Sequence, residues 1–183
     1  MMIILFVVVV LLALWFVGAY NHFVVLSKRA REAWADIDVQ LKRRYDLIPN
    51  LVNTVKGYAA HESSAFENVT KARAAAMGAG STASKATAEA ELSGALKTLF
   101  AVSEAYPDLK ANENFLKLAE ELSDTENKIQ AARRFYNANV RDYAIAREKF
   151  PGNLVAGTFG FKALEYFELA SGSAEREPVA VSF

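Results

Sequence analysis

The sequence predicts an all-α membrane protein, in which an N-terminal transmembrane helix precedes an elongated antiparallel bundle of four to five helices. Three observations predict this class. Residues 3–20 are apolar and uncharged, the remainder is rich in alanine with only four prolines, and apolar residues recur at helical spacing. We therefore divide the 183-residue chain into a membrane anchor at 1–20, a helical domain at 21–170 and a tail at 171–183, for which we expect disorder.

The apolar run at 3–20 spans roughly 27 Å as an α-helix, close to the thickness of the hydrocarbon core of a bilayer. Trp15 and Tyr20 lie near its end, where aromatic side chains favour the membrane interface. A cleaved signal peptide is the less favoured interpretation, because no basic residue precedes the run, although residues 17–19 are small enough for a cleavage site. The lipid bilayer is thus the first predicted partner.

Charge predicts the orientation of the span. Lys28, Arg29 and Arg31 follow it, and the positive-inside rule then places the N-terminus outside and the domain in the cytoplasm. The alternative is a periplasmic or extracellular domain. Twenty-one basic residues balance 21 acidic ones, which argues against a nucleic-acid-binding surface. With no cysteine in the chain, a disulfide framework is excluded.

The first helix of the domain is predicted to continue directly from the span, because no helix-breaking residue follows Tyr20. A seam of apolar residues at about every 3.5 positions supports it, from Phe23 to Ile48. Pro49 predicts a kink or restart at 47–50. A second apolar run continues to Arg73, and the small residues at 77–84 predict a loop.

Two long helices are predicted after that loop, at about 82–105 and 112–150, separated by Tyr106-Pro107-Asp108. Residues 154–161 are expected to form an apolar turn that contains glycines, and residues 162–170 a short helix.

One charged residue stands out because Arg44 lies on or beside the apolar seam, where a guanidinium needs a partner from another helix. Other polar residues of the long helices can form a comparable layer that fixes helix register. A structural role is favoured over binding of a ligand or partner. The candidate layer consists of Asp38, Arg43, Arg44, Asp46, Asn50, Arg133, Arg134 and Asn137.

No motif for catalysis or cofactor binding emerges from the chain. His61-Glu62 invites a zinc interpretation, but a zincin needs a second histidine one helical turn later, and position 65 is alanine. Phosphate-binding loops and nucleophile elbows do not occur in the sequence. We therefore predict no catalytic residue, no metal and no cofactor, and a protein that is not an enzyme.

Several sequence motifs together resemble those of a known family. They are WADIDVQLKRRYDLIPNLV at 34–52, His61-Glu62, ARRFYN at 132–137, Phe150-Pro151 and Phe159-Gly160-Phe161. In this order they resemble the LemA family of bacterial membrane proteins, from the anchor to about Phe167. One departure is Ala144, where the family pattern leads us to expect asparagine. The resemblance implies a single-span, largely helical membrane protein, and it implies no reaction.

These features predict a membrane-anchored helical scaffold or adaptor that mediates self-association or docking of a partner. We expect a homo-oligomer and an unidentified membrane or cytoplasmic protein partner. The alternative is a membrane-linked sensor or regulator, whose polar layer binds a small ligand or the acidic group of a partner.

Overall fold

The structure, a computed structural model, describes residues 1–168, and its fold is an all-α helical bundle, as predicted. The tail predicted at 171–183 lies outside the described residues. Within the described part there are six helices: α1 (Met2–Lys56), α2 (Ser63–Gly78), α3 (Thr82–Glu104), α4 (Pro107–Lys110), α5 (Glu113–Glu148) and α6 (Gly152–Phe159).

These helices belong to two compact units, and α1 and α5 contribute to both. The first unit combines Met1–Asp38 with Ala131–Glu165, and the second contains Val39–Gln130 and the described residues after Glu165. The core of the first unit includes Phe23, Leu26, Tyr143, Val155 and Ala156. The core of the second is built mainly from leucine and other aliphatic side chains of four helices, among them Leu41, Ile48, Leu51, Val69, Leu92, Leu99, Leu122 and Ile129.

The beginning of α1 differs from the rest of that helix in burial. Among the described residues, α1 is the one helix long and apolar enough to cross a membrane, and none of its most apolar stretch is buried by other parts of the structure. From Phe23 onward its apolar residues are buried at helical spacing, as the seam predicted. The predicted continuity between the apolar segment and the domain is confirmed, since one helix covers both.

Pro49 does not interrupt α1, so the predicted restart at 47–50 is wrong, while the predicted kink stays a prediction. A proline inside a helix leaves the carbonyl four residues earlier without its N–H donor. Here that carbonyl belongs to Tyr45, and it accepts a hydrogen bond of 2.8 Å from Nε of Arg73 on α2. A side chain thus supplies the donor that proline lacks, and the helix continues through Pro49.

The segment after α5 also differs from the prediction. Residues 154–161 were expected to form a turn, but most of them belong to α6, whereas the described part of 162–170 is not helical. Gly160 ends α6 with a positive φ of 67°, which glycine adopts without strain. The N–H of Phe161 then donates to the carbonyl of Ala156 at 3.0 Å, which closes the helix end.

Local hydrogen bonds explain where α3 and α5 begin. The hydroxyl of Ser81 accepts from the backbone N–H of Ser84 at 3.1 Å, and the hydroxyl of Ser84 accepts from the N–H of Ser81 at 3.0 Å. This reciprocal pair is a capping box. The side chain of Asn112 accepts from the N–H of Phe115 at 3.0 Å at the start of α5.

Candidate functional site

The most unusual buried group of the second unit is the guanidinium of Arg44, which α1 places in the interior of that unit. Only 2% of Arg44 is exposed. A charge in such surroundings requires opposite charge and hydrogen bonds, because desolvation of an ion is costly. Partners come from α1, α3 and α5, and we call the group the Arg44 cluster: Arg44, Tyr45, Glu89, Ser93 and Glu126.

The two terminal nitrogens of Arg44 have different partners. Nη1 donates to Oε2 of Glu126 at 2.7 Å and to Oγ of Ser93 at 3.1 Å. Nη2 donates to Oε2 of Glu89, whose other carboxylate oxygen accepts from the hydroxyl of Tyr45. The cluster therefore links three helices through directional bonds, and each bond requires a particular register of the helices.

Charge and burial within the cluster are uneven. Glu89 is buried like Arg44, whereas the side chain of Glu126 is 39% exposed. Two carboxylates around one guanidinium give the cluster a formal charge of −1 when all three groups are ionised. Nε of Arg44 has no hydrogen-bond partner among the described residues. The arrangement suits a structural ion pair, since its strongest donors and acceptors already satisfy one another.

The other residues of the predicted layer in the second unit lie at its surface. Arg43, Asp46 and Asn50 are exposed. Arg43 lies 3.7 Å from the carboxylate of Asp124, and Asp46 pairs with Lys42 at 2.5 Å, one helical turn earlier. Contacts between exposed charges such as these contribute little to stability.

Asp124 itself is held by a second surface contact. Its carboxylate accepts a hydrogen bond of 2.8 Å from Nζ of Lys128 on the next turn of α5. That bond is the main reason why the pKa of Asp124 is below its usual value, and the charges of Lys128 and Arg43 lower it further. These residues form a charged surface patch on the second unit.

The remaining four predicted residues belong to the first unit. Asp38 and Arg134 are exposed, while Arg133 and Asn137 are half-buried on α5. Asp38, Arg133 and Asn137 all make polar or electrostatic contacts within the structure. A single layer that contains all eight residues stays a prediction.

Sequence reasoning found Arg44 and its need for a partner, but it missed Glu89, Ser93 and Glu126. Helical spacing could have identified Glu89 as buried, because it lies three residues before Leu92 and seven before Leu96 on the buried face of α3. Glu126 lies between Leu122 and Ile129 on α5 in a comparable way. An acidic residue on each of two apolar stripes is the complement that a buried arginine requires.

A cavity of about 390 Å³ adjoins the Arg44 cluster. Arg44, Ser93 and Glu126 line one part of it, and apolar side chains such as Leu96 and Phe100 line another. Lys97 adds a second positive charge to the lining. Residues 1–168 contain no group of three or more His, Cys, Asp or Glu side chains that could hold a metal ion. The cavity can admit a small molecule with both apolar and polar parts.

The first unit contains a contrasting group, which we call the aromatic cluster. Ring contacts join Phe159 to Phe16 and Tyr20, with centroids 5.6 and 4.8 Å apart. Phe161 stacks on Phe23 at 5.0 Å. Trp15 is 42% exposed and contacts Phe16. The cluster thus joins the end of the apolar segment to α6 and consists of Phe16, Tyr20, Phe23, Phe159 and Phe161.

Two tyrosine hydroxyls hold the chain that follows α6 against α5. Tyr143 donates to the carbonyl of Lys162, and Tyr136 donates to the carbonyl of Glu165, at 2.8 and 2.7 Å. Burial raises the pKa of both tyrosines above the usual value. Both hydroxyls therefore stay protonated at neutral pH and act as donors.

Comparison with known proteins adds a family and several relatives. The family model described as LemA family matches residues 33–183. Magnetosome protein MamQ of Magnetospirillum gryphiswaldense is 28% identical over 174 residues, which cover 81% of this chain and 64% of the relative. Magnetosome proteins MamQ 1 and MamQ 2 of Paramagnetospirillum magneticum are 28% identical over 175 residues, with the same coverage. The chain thus spans 64% of the length of these curated relatives.

Proposed function

Since the chain belongs to the LemA family and is a membrane-associated helical protein, we propose that it is a membrane-anchored scaffold or adaptor that mediates self-association or partner docking at the bacterial inner membrane. One observation carries the proposal. A single helix, α1, begins with an apolar segment whose most apolar stretch has no residue buried by the rest of residues 1–168, and it continues into the cores of a helical fold. Such a helix holds folded surface next to a bilayer without an intervening linker.

The state of the Arg44 cluster supports a non-enzymatic role. A catalytic acid, base or electrophile needs a free position directed at a substrate. In this cluster the guanidinium already donates to Glu89, Ser93 and Glu126, and Glu89 also accepts from Tyr45. The bonds fix how three helices pack, which is the requirement of a scaffold whose surface must keep one shape.

We assign the domain to the cytoplasmic side, with the N-terminal end of α1 outside. Three basic residues soon after the apolar segment, Lys28, Arg29 and Arg31, support this orientation. The chain lacks cysteine, so a single Leu116→Cys variant carries one thiol at an exposed position of α5. A membrane-impermeant maleimide should label it only after the cells are permeabilised. Labelling in intact cells to the same extent would overturn the orientation.

Mass measurement tests the scaffold directly. The full chain in nanodiscs or detergent should yield a homo-oligomer whose stoichiometry persists on dilution, and cross-linking in native membranes should recover the same species or a complex with one partner. A strict monomer at every concentration, combined with no cross-linked product in native membranes, would refute the scaffold and leave only the membrane anchor.

The second candidate function is a membrane-linked sensor or regulator. The cavity beside Arg44 favours it, because Lys97 places a positive charge in a lining that also has polar and apolar side chains. Inorganic phosphate and small carboxylates are the probes for a thermal-shift assay. Stabilisation that disappears in Lys97→Met would support this function, since Lys97 is not part of the Arg44 cluster. An unchanged melting temperature with every probe would eliminate it.

A further inference from the structure

The segment between Lys149 and Lys162 has an unusual composition for the surface of a protein. Residues 150–161 contain no charged side chain, and three of them are phenylalanine. A lysine flanks the segment on each side, and both lysines are exposed. The helix within this segment, α6, is the shortest after α4.

Apolar side chains of α6 point both inward and outward. Val155 and Ala156 are buried in the core of the first unit, but 57% of Leu154 and 48% of Phe159 remain exposed. Phe150, just before the helix, is 73% exposed. A helix on a water-facing surface normally carries polar or charged residues on its outer side. The outer side of α6 instead carries two large apolar residues and no charge, with Asn153 and Thr158 as its exposed polar residues.

Contacts with α1 place α6 beside the membrane-spanning segment, within the same unit. The ring of Phe159 packs on Phe16 and on Tyr20. Phe16 precedes Tyr20 by four residues, which places it about 6 Å further along the helix into the apolar segment. The end of α6 therefore lies alongside residues that we assign to the bilayer.

The polar groups of this segment are largely satisfied by local hydrogen bonds. The hydroxyl of Thr158 donates to the carbonyl of Leu154 at 2.8 Å, and the N–H of Leu154 donates to the carbonyl of Pro151 at 3.1 Å. At the other end, Phe161 donates to Ala156. Satisfied backbone and hydroxyl groups are what a segment needs in order to contact lipid.

We infer that α6 is a second membrane-contact element, which lies in the boundary between headgroups and acyl chains next to the point where α1 leaves the bilayer. Leu154, Phe159 and Phe150 contact lipid, while Lys149 and Lys162 reach the headgroup phosphates. This inference rests on the proposed crossing of the bilayer by α1. Continuity of the aromatic cluster with the apolar segment favours lipid over a protein as the occupant of this face.

Spin labels at single cysteines test the inference in the full chain, because the chain provides a cysteine-free background. Leu154→Cys is the test position. Val10→Cys reports the apolar segment, and Phe135→Cys is an exposed control on α5 of the same unit. Each variant is labelled, placed in phosphatidylcholine nanodiscs, and compared for collision with oxygen, which concentrates in lipid, and with a water-soluble nickel chelate.

The ratio of oxygen to nickel collisions at position 154 should be several-fold above that at 135 and should approach the ratio at 10. A ratio at 154 equal to that at 135 would show a water-facing helix and overturn the inference. Shielding from both reagents would show a protein partner on this face and overturn it as well. If position 10 also behaved as water-exposed, the anchor itself would fail, so the two failures are distinguishable.

Discussion

The Arg44 cluster of the second unit and the aromatic cluster of the first solve opposite problems. In the Arg44 cluster, ions are buried and their charges are matched by directional bonds from three helices. In the aromatic cluster, ring packing provides the contacts, and 48% of Phe159 and 38% of Tyr20 remain exposed. In the Arg44 cluster the charged groups pair with one another, whereas the aromatic cluster leaves apolar surface exposed.

The difference supports the proposed roles of the two regions, structural for the Arg44 cluster and in contact with lipid for the aromatic cluster. Directional bonds are costly to break and define one arrangement of helices, so the Arg44 cluster suits the maintenance of shape. Apolar packing is not directional, and lipid can continue it without a matched partner. The aromatic cluster therefore suits contact with the membrane. Each prediction below challenges one side of this contrast.

The largest effect is expected from breaking the buried ion pair. Arg44→Met leaves the carboxylate of Glu89 buried without its partner, so the free energy of unfolding should fall by about 3–5 kcal/mol. Chemical denaturation of the full chain in detergent, followed by circular dichroism, measures the loss. Lys42→Met, two residues before Arg44 on α1, removes a charge from the exposed pair with Asp46 and should change stability by less than about 1 kcal/mol.

The double variant Arg44→Met/Glu89→Met decides whether charge matching is the reason. Removal of Arg44 and Glu89 eliminates the unpaired buried carboxylate and leaves only Glu126, whose side chain is 39% exposed, so stability should recover most of the loss. A double variant as unstable as Arg44→Met alone would show that the arginine stabilises the second unit by packing rather than by its charge.

The next largest effect is expected from a change in how α6 packs in the first unit, next to the aromatic cluster. A Cβ atom on Gly152 would lie 2.5 Å from the backbone carbonyl oxygen of Ala146, so the chain must shift to admit it. Gly152→Ala should lower stability by about 1–3 kcal/mol, as overpacking does. It should also change the near-ultraviolet circular dichroism of the aromatic rings, because α6 carries Phe159 to Phe16 and Tyr20.

Gly157 supplies the matched control within the same helix. A Cβ there meets nothing within 4 Å, and alanine favours the helical conformation by about 0.5–1 kcal/mol over glycine. Gly157→Ala should therefore be neutral or stabilising, with unchanged ring signals. Equal destabilisation by the two substitutions would show that α6 does not pack in the first unit as described.

The sequence predicts features that depend on neighbouring residues better than features that depend on residues distant in sequence. Periodicity predicted the long helices and the buried stripe from Phe23 to Ile48, because one helix face determines both. The local rule that proline ends a helix failed at Pro49, where α1 continues and the carbonyl of Tyr45 accepts a hydrogen bond from Arg73, 28 positions away. A rule based on neighbouring residues cannot identify a hydrogen-bond partner that is so distant in sequence.

The candidate site shows the same limit. Arg44 was recognisable because a charge interrupts an apolar pattern, but which acidic residues face it depends on how α3 and α5 pack. Glycines at 157 and 160 predicted a turn at 154–161, although most of that segment is helical and the φ angle at Gly160 ends the helix. Glycine signals a change of direction, and packing decides whether a helix precedes it.

The smallest effect is expected from a single polar hydrogen bond in the second unit, which joins Arg73 to the backbone of Tyr45. Arg73→Met removes the donor to the carbonyl of Tyr45 while keeping most of the side-chain volume, and it should cost about 1 kcal/mol. In a Pro49→Ala background, the new N–H at position 49 can donate to the same carbonyl. The cost of Arg73→Met should then shrink towards zero. An identical cost in both backgrounds would mean that Arg73 stabilises α2 against α1 by contacts other than this bond, and that α1 tolerates an unsatisfied carbonyl at its proline.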